Sequence, residues 1–219
     1  MTQLEIELKS VSNQLINMWR LVGSQLSNTR KALLEFDKDL AREVIMKETR
    51  VNGAELNIDQ DCENILALLN PVAVDLRFVL AVLKINSNLE RIGDIAEGIA
   101  KYIETADSQF KPDLLATTKV LQILDEGLVM LEITLDAFEK EDPALARSVF
   151  KMDDSLDEIN HHANENVIEF LKASPDEINA ALYILSMIRK LERVGDQVKN
   201  IAEEIIFYVE AKVLKHMKD

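Results

Sequence analysis

Two segments of this chain, 102 residues apart, carry the same apolar rhythm. Val82, Ile85, Leu89, Ile92, Ala96, Ile99 and Ile103 alternate spacings of three and four, and so do Ile184, Met187, Leu191, Val194, Val198, Ile201 and Ile205. Such spacing gathers side chains on one face of a 3.6-residue helix, and a face that long must be covered by other helices. No stretch of the chain alternates as a half-buried strand would. Only 6 glycines, 4 prolines and 5% aromatic residues occur, so tight turns are few. The fold class expected is all-α.

The prolines divide the chain. Asn70-Pro71, Asp142-Pro143 and Ser174-Pro175 each offer a capping side chain before a proline at the first helical position. Ser174-Pro175-Asp176-Glu177 also reads as a capping box. Lys111-Pro112-Asp113 follows the polar stretch Thr105 to Gln109, the expected linker. Breaks near Phe36-Asp37 and Lys140-Glu141 complete six expected helices, at 5–36, 39–69, 72–104, 113–140, 144–172 and 176–214. Leu40-Ala41-Arg42 matches Leu145-Ala146-Arg147 at an offset of 105, against 102 for the seams, which one short deletion reconciles. The expected architecture is two tandem, pseudo-symmetric three-helix bundles, residues 1–106 and 112–219, with antiparallel neighbours.

A hexapeptide lies within each seam, Leu89-Glu90-Arg91-Ile92-Gly93-Asp94 and Leu191-Glu192-Arg193-Val194-Gly195-Asp196. Each sets two carboxylates one turn apart, where they repel, around a glycine that costs a helix on the order of 1 kcal/mol. At a rise of about 1.5 Å per residue, counting outward from the loops brings Glu48 and Asn52 level with Asp94 and Glu90. The same count brings Asp153, Asp154 and Asp157 level with Asp196 and Glu192. Clustered carboxylates with few histidines suit hard or borderline cations such as magnesium, manganese or iron. The same pattern also suits a solvated face whose acids pair with Arg or Lys one turn away, with the glycine relieving crowding between helices. Both readings stand on the residues alone.

Other chemistry is sparse. The net charge of -14 opposes nucleic acid and bare anionic membranes and favours cations and basic protein surfaces. Cys62 is the only cysteine, which excludes an internal disulfide and suits a reducing compartment. No basic residue or histidine stands near it, so a small buried side chain is expected rather than a nucleophile. The sequence opens on a polar stretch, and its longest apolar runs, Phe78 to Leu83 and Ala180 to Leu185, are too short for a bilayer. A cytoplasmic location is expected. Glu158-Ile159-Asn160-His161 has the form of a di-iron ligand motif, but the third helix lacks a counterpart, so a di-iron oxidase is not expected. His161 could be an outlying ligand beside Asp157, and His216 falls in a terminal tail. No Gly-rich phosphate loop or nucleophile elbow occurs.

The two Glu-Arg-Xaa-Gly-Asp segments resemble the signature of the PhoU family of phosphate-signalling regulators. Asn70-Pro71-Val72-Ala73-Val74-Asp75-Leu76-Arg77 and Asn200-Ile201-Ala202-Glu203-Glu204-Ile205-Ile206-Phe207-Tyr208-Val209 are also similar, and the likeness runs from about Leu33 to Val209. The resemblance implies paired three-helix bundles and, as in some members, multinuclear metal sites on Glu/Asp-Xaa-Xaa-Xaa-Asp motifs. Carried over, the ligands would be Glu48, Asn52, Glu90 and Asp94 in the first unit and Asp153, Asp157, Glu192 and Asp196 in the second. The ion would be iron, manganese, magnesium or zinc. Asn52 replaces an acid, so the second site is expected to be the stronger. The resemblance further implies a non-enzymatic, dimeric negative regulator of phosphate uptake and of the starvation response (the Pho regulon). Its partners would be the ATPase subunit of a phosphate ABC transporter and a membrane sensor histidine kinase, with no nucleic acid and only indirect contact with the membrane. The alternatives are a transporter accessory role, a metal-dependent hydrolase using the same carboxylates, and a purely structural helical adaptor.

Overall fold

The computed structural model describes residues 1–213. Seven α-helices follow one another: α1 (Gln3–Glu35), α2 (Lys38–Leu69), α3 (Ala73–Thr105), α4 (Pro112–Thr118), α5 (Val120–Lys140), α6 (Pro143–Ala173) and α7 (Ile178–Glu210). No strand occurs among the described residues, so the all-helical expectation is met. Five of the six expected helices appear with ends shifted by a few residues. The tail of the last expected helix, at 214, lies outside the described residues.

The fourth expected helix is divided. Lys119 adopts a left-handed conformation with φ of 56° between α4 and α5. The kink turns Leu114, Leu115 and Thr118 inward, and α4 packs on α6 and α7 while α5 runs along α1. No glycine or proline marks this break, because burial of α4 imposes it on a residue with no turn preference. The prolines are more varied than expected. Asp142 caps α6, accepting from the backbone of Ala144 and Leu145, and Pro143 takes its first position. Asn70 instead closes α2 in a left-handed conformation, and α3 begins after Val72 with no side-chain cap. Ser174 makes no side-chain cap, and Pro175–Glu177 forms a 3-10 turn before α7, so the expected capping box is absent.

Helices α1, α2 and α3 pack on one another, and so do α5, α6 and α7, while α3 against α7 and α1 against α5 join the two groups. The join is part of one continuous hydrophobic core. Trp19 of α1 is buried and donates its indole N–H to the Leu131 carbonyl of α5 at 3.1 Å. Its ring meets Phe138, which also contacts Phe78 and Tyr208. The segment expected as a linker is itself anchored: Phe110 is buried against Phe36, and Lys38 donates to the Ala106 carbonyl at 2.6 Å. Among the described residues no helix is long and apolar enough to cross a membrane.

Because Trp19 is the only tryptophan and sits in the seam between the groups, its fluorescence reports the join while far-UV circular dichroism reports every helix. The two signals should trace one coincident urea transition. A fluorescence change that precedes most of the loss of helix would show that the groups separate before they unfold.

Candidate carboxylate clusters and a basic cleft

Helices α3 and α7 run antiparallel. Lys84 pairs with Glu204 at 3.0 Å, Tyr102 meets the ring of Tyr183, and Gly98 lies beside Lys190. Stepping five residues from the last of these contacts along each helix sets Gly93 level with Gly195. The two hexapeptides therefore cross at one height.

Each glycine is a slot for a carboxylate of the neighbouring helix. A Cβ at Gly93 would stand 3.1 Å from Oε2 of Glu48 and 3.2 Å from Cγ1 of Val51. A Cβ at Gly195 would overlap Oδ1 of Asp153 and stand 2.8 Å from Cδ2 of Leu156. Glu48 on α2 and Asp153 on α6 are consequently 5% and 3% exposed. Each keeps one buried oxygen, Oε1 of Glu48 and Oδ1 of Asp153, with no hydrogen-bond partner among the described residues.

The two carboxylates are neutralised differently. Glu48 accepts one hydrogen bond, from Nε2 of Gln25 on α1 at 3.0 Å. Burial pushes its carboxyl up to about 7, against the Gln25 bond, with repulsion from Asp94, Glu97 and Glu90 adding to the rise. Glu90 is raised by burial and then by Asp94 and Glu55. Asp153 instead forms an ion pair with Lys199, whose ammonium also lies 3.1 Å from Asp196. Burial works against the charge on Lys199, but its bonds to Asp153 and Asp196 outweigh that and hold the ammonium above its usual range. Burial raises Asp153, and Lys199 opposes the rise. Glu192 is raised by burial and then by Asp196, Asp157 and Asp153.

The expected site residues are thus gathered in part. Glu48 lies close enough to Glu90 and Asp94 to feel their charge, and Asp153 to Glu192, Asp196 and Asp157. Asn52 and Asp157, one turn along from the buried acids, are exposed. Among the described residues no three His, Cys, Asp or Glu side chains converge as closely as a metal ion requires. The first set, acidic and without an inserted cation, suits a hard cation by its donor chemistry. The second set fits poorly, because an ammonium already sits on two of its four residues.

Gln25 and Lys199 were not among the expected site residues. Lys199 was legible: at the repeat offset of 102 its counterpart is Glu97, a reversal of charge. Gln25 carried no signal, since nothing in α1 shares the repeated pattern. Cys62 is fully buried and its thiol is pushed up to about 12 by burial, as suits a core residue. His161 borders an open depression with Asp154 and Asp157. His216 lies outside the described residues.

A second feature adjoins the crossing. A cleft of about 440 Å³ between α3 and α7 is lined by Arg91, Lys101, Lys190 and Arg193 together with Asp94 and Glu97. Both arginines come from the repeated hexapeptide, one from each helix.

A family model described as the PhoU domain matches residues 15–103 and again residues 120–205. The phosphate-specific transport system accessory protein PhoU homolog of a Burkholderia species is 32% identical over 217 residues, which covers 99% of this chain and 92% of that protein. The crystal structure of PhoU from Pseudomonas aeruginosa superposes with a TM-score of 0.90 at 33% identity, over 96% of this chain and 100% of that one. The crystal structure of the phosphate transport system regulatory protein PhoU from Streptococcus pneumoniae gives 0.86 at 28% identity, over 97% and 100%.

Two substitutions test the carboxylates. Glu48 is raised from 4.5 to about 7, so between those values the folded chain holds a proton that the unfolded chain has lost. Stability from this group therefore falls as pH rises through that window. Glu48→Gln should stabilise the chain by about 2 kcal/mol near pH 8 and change it little near pH 5, read from urea midpoints. An equal effect at both pH values would contradict the assignment. Lys199→Met should destabilise by on the order of 3 kcal/mol, since it strands Asp153 beside Asp196. An unchanged midpoint would show that the pair is not a structural one.

Proposed function

The chain belongs to the PhoU family, and on that premise we propose that it is an accessory protein of a phosphate-specific transport system and a negative regulator of phosphate uptake and of the starvation response. The observation that carries this reading is the end-to-end likeness to proteins named for that system, with both copies of the domain present. The chain then works by docking. Its partners are the ATPase subunit of the transporter and a membrane sensor histidine kinase, reached from the cytoplasm, with the chain acting as a homodimer. Its acidity suits basic partner surfaces and contributes more to encounter rate than to affinity.

The two domain matches and the two packed helix groups support an ancestral duplication, with units at 1–106 and 112–219. A non-catalytic, accessory role is in keeping with the names of the relatives the chain matches end to end. Metal binding belongs to the same reading. Glu48, Glu90 and Asp94, with Asn52 at the rim, are the residues that would take a divalent or iron-type cation, which would supply the charge their mutual repulsion calls for. At Asp153, Asp157, Glu192 and Asp196 an added cation has to compete with Lys199. This reverses the order expected from the count of acids alone.

Deletion of the gene in its native host tests the regulatory role. A starvation-gene reporter should rise in phosphate-rich medium, and unchanged repression in a host without a second copy would rule the role out. If transporter flux alone changes, the chain serves transport without signalling. For the metal, manganese retained after dialysis should drop at least tenfold in a Glu90→Ala, Asp94→Ala double variant, a loss of about 1.4 kcal/mol or more in binding. Undiminished retention would remove these residues as ligands.

A further inference from the structure

The cleft beside the crossing of α3 and α7 has the opposite sign to the rest of the molecule. The chain carries a net charge of -14, yet this cleft is lined by four basic residues and two acidic ones, a local balance of +2. One of the four is neutralised, Lys101 by Glu97 at 2.7 Å. Arg91, Lys190 and Arg193 form no ion pair with any described residue. Elsewhere Arg20, Arg30, Arg42 and Arg147 each pair with a carboxylate of another helix, while Arg50, Arg77 and Arg189 also lack an ion pair but do not line this cleft. A chain with a surplus of acids that leaves three cations unpaired in one cleft has left them open to something else.

The fold explains how they meet. Arg91 and Arg193 hold the same place in the two hexapeptides, and the antiparallel crossing brings one from each helix to a single cleft. Lys190 reaches it by lying across α3 at Gly98, where a Cβ would stand 2.9 Å from its Nζ. Tyr102 closes one end, its ring backed by Tyr183 at 5.5 Å between centroids. Guanidinium groups present paired N–H donors that match the oxygens of a phosphate group, and two of them with an ammonium offset its double charge. The volume, about 440 Å³, is in the range of small-molecule sites and leaves room beside an aromatic wall for more than a bare oxyanion.

We infer that this cleft binds the phosphate group of a small phosphorylated molecule, with Arg91 and Arg193 gripping the oxyanion, Lys190 adding charge, and Tyr102 walling the remainder. The inference goes beyond the role proposed above and does not depend on it. A regulator with such a site takes a chemical input of its own in addition to protein partners.

Isothermal titration of the full-length protein at physiological ionic strength tests it, with orthophosphate, glycerol 3-phosphate and adenosine monophosphate as probes and citrate as a polyanion of different chemistry. At least one phosphate compound should bind with Kd below about 1 mM, and citrate at least tenfold more weakly. A preference for either ester over orthophosphate would identify an organic phosphate as the occupant. A preference for orthophosphate over both esters would overturn the organic occupant and leave only an oxyanion site for the free ion. Arg91→Gln with Arg193→Gln should weaken binding at least tenfold, and because both side chains are exposed the helical circular dichroism should be unchanged. Binding by none of the three probes, equal binding of citrate, or undiminished binding by the double variant would overturn the inference.

Discussion

Two carboxylates seated in glycine slots set the geometry of this molecule. Gly93 eases the approach of α2 to α3 beside Glu48, and α6 can approach α7 as it does because Gly195 leaves room for Asp153 and Leu156. Desolvating a carboxylate is expensive, so each approach had to be compensated. The compensation determines the chemistry around it. In the first unit it is a hydrogen bond from Gln25 and a carboxyl titrating near neutrality. In the second it is the Lys199 ammonium, shared with Asp196.

That difference sets the two copies of the domain apart. The units share helix order, seams and hexapeptides, yet Glu97 stands where the other copy has Lys199. With that one reversed charge the second cluster holds the Lys199 ammonium between Asp153 and Asp196, and the first has no such cation between its acids. Two sites alike in sequence pattern thus differ in what they ask of their surroundings. Counting acids alone does not show this difference, because it leaves out the ammonium inserted between Asp153 and Asp196.

The antiparallel crossing of α3 and α7 also gathers charge of the other sign. Their buried faces carry the seams, their flanks carry Glu48 and Asp153 on neighbouring helices, and the remaining side carries Arg91 and Arg193. The hexapeptide serves all three surfaces at once: Leu and Ile or Val for the seam, Gly for the slot, and Arg for the cleft. A duplicated unit placed head to tail therefore yields a cleft built from both copies, which neither copy has alone.

The seams and the helical class were legible because they rest on local periodicity, which neighbouring residues impose on one another whatever lies beyond them. The level of Glu48 with its hexapeptide was legible too, since helical rise is fixed. The break at Lys119 was not, because only the burial of Leu114 and Leu115 against distant helices favours a left-handed residue there. Nor were the roles of Asn70 and Ser174, whose side chains can serve either end of a helix. The partnership of Gln25 with Glu48 and of Trp19 with Leu131 joins residues 23 and 112 positions apart. By itself the sequence determined which faces must be buried and which acids recur. Which charges meet, and so which cluster is already neutralised, was decided only when α1 packed on α2 and α6 on α7, since electrostatic neutralisation depends on distance in space rather than along the chain.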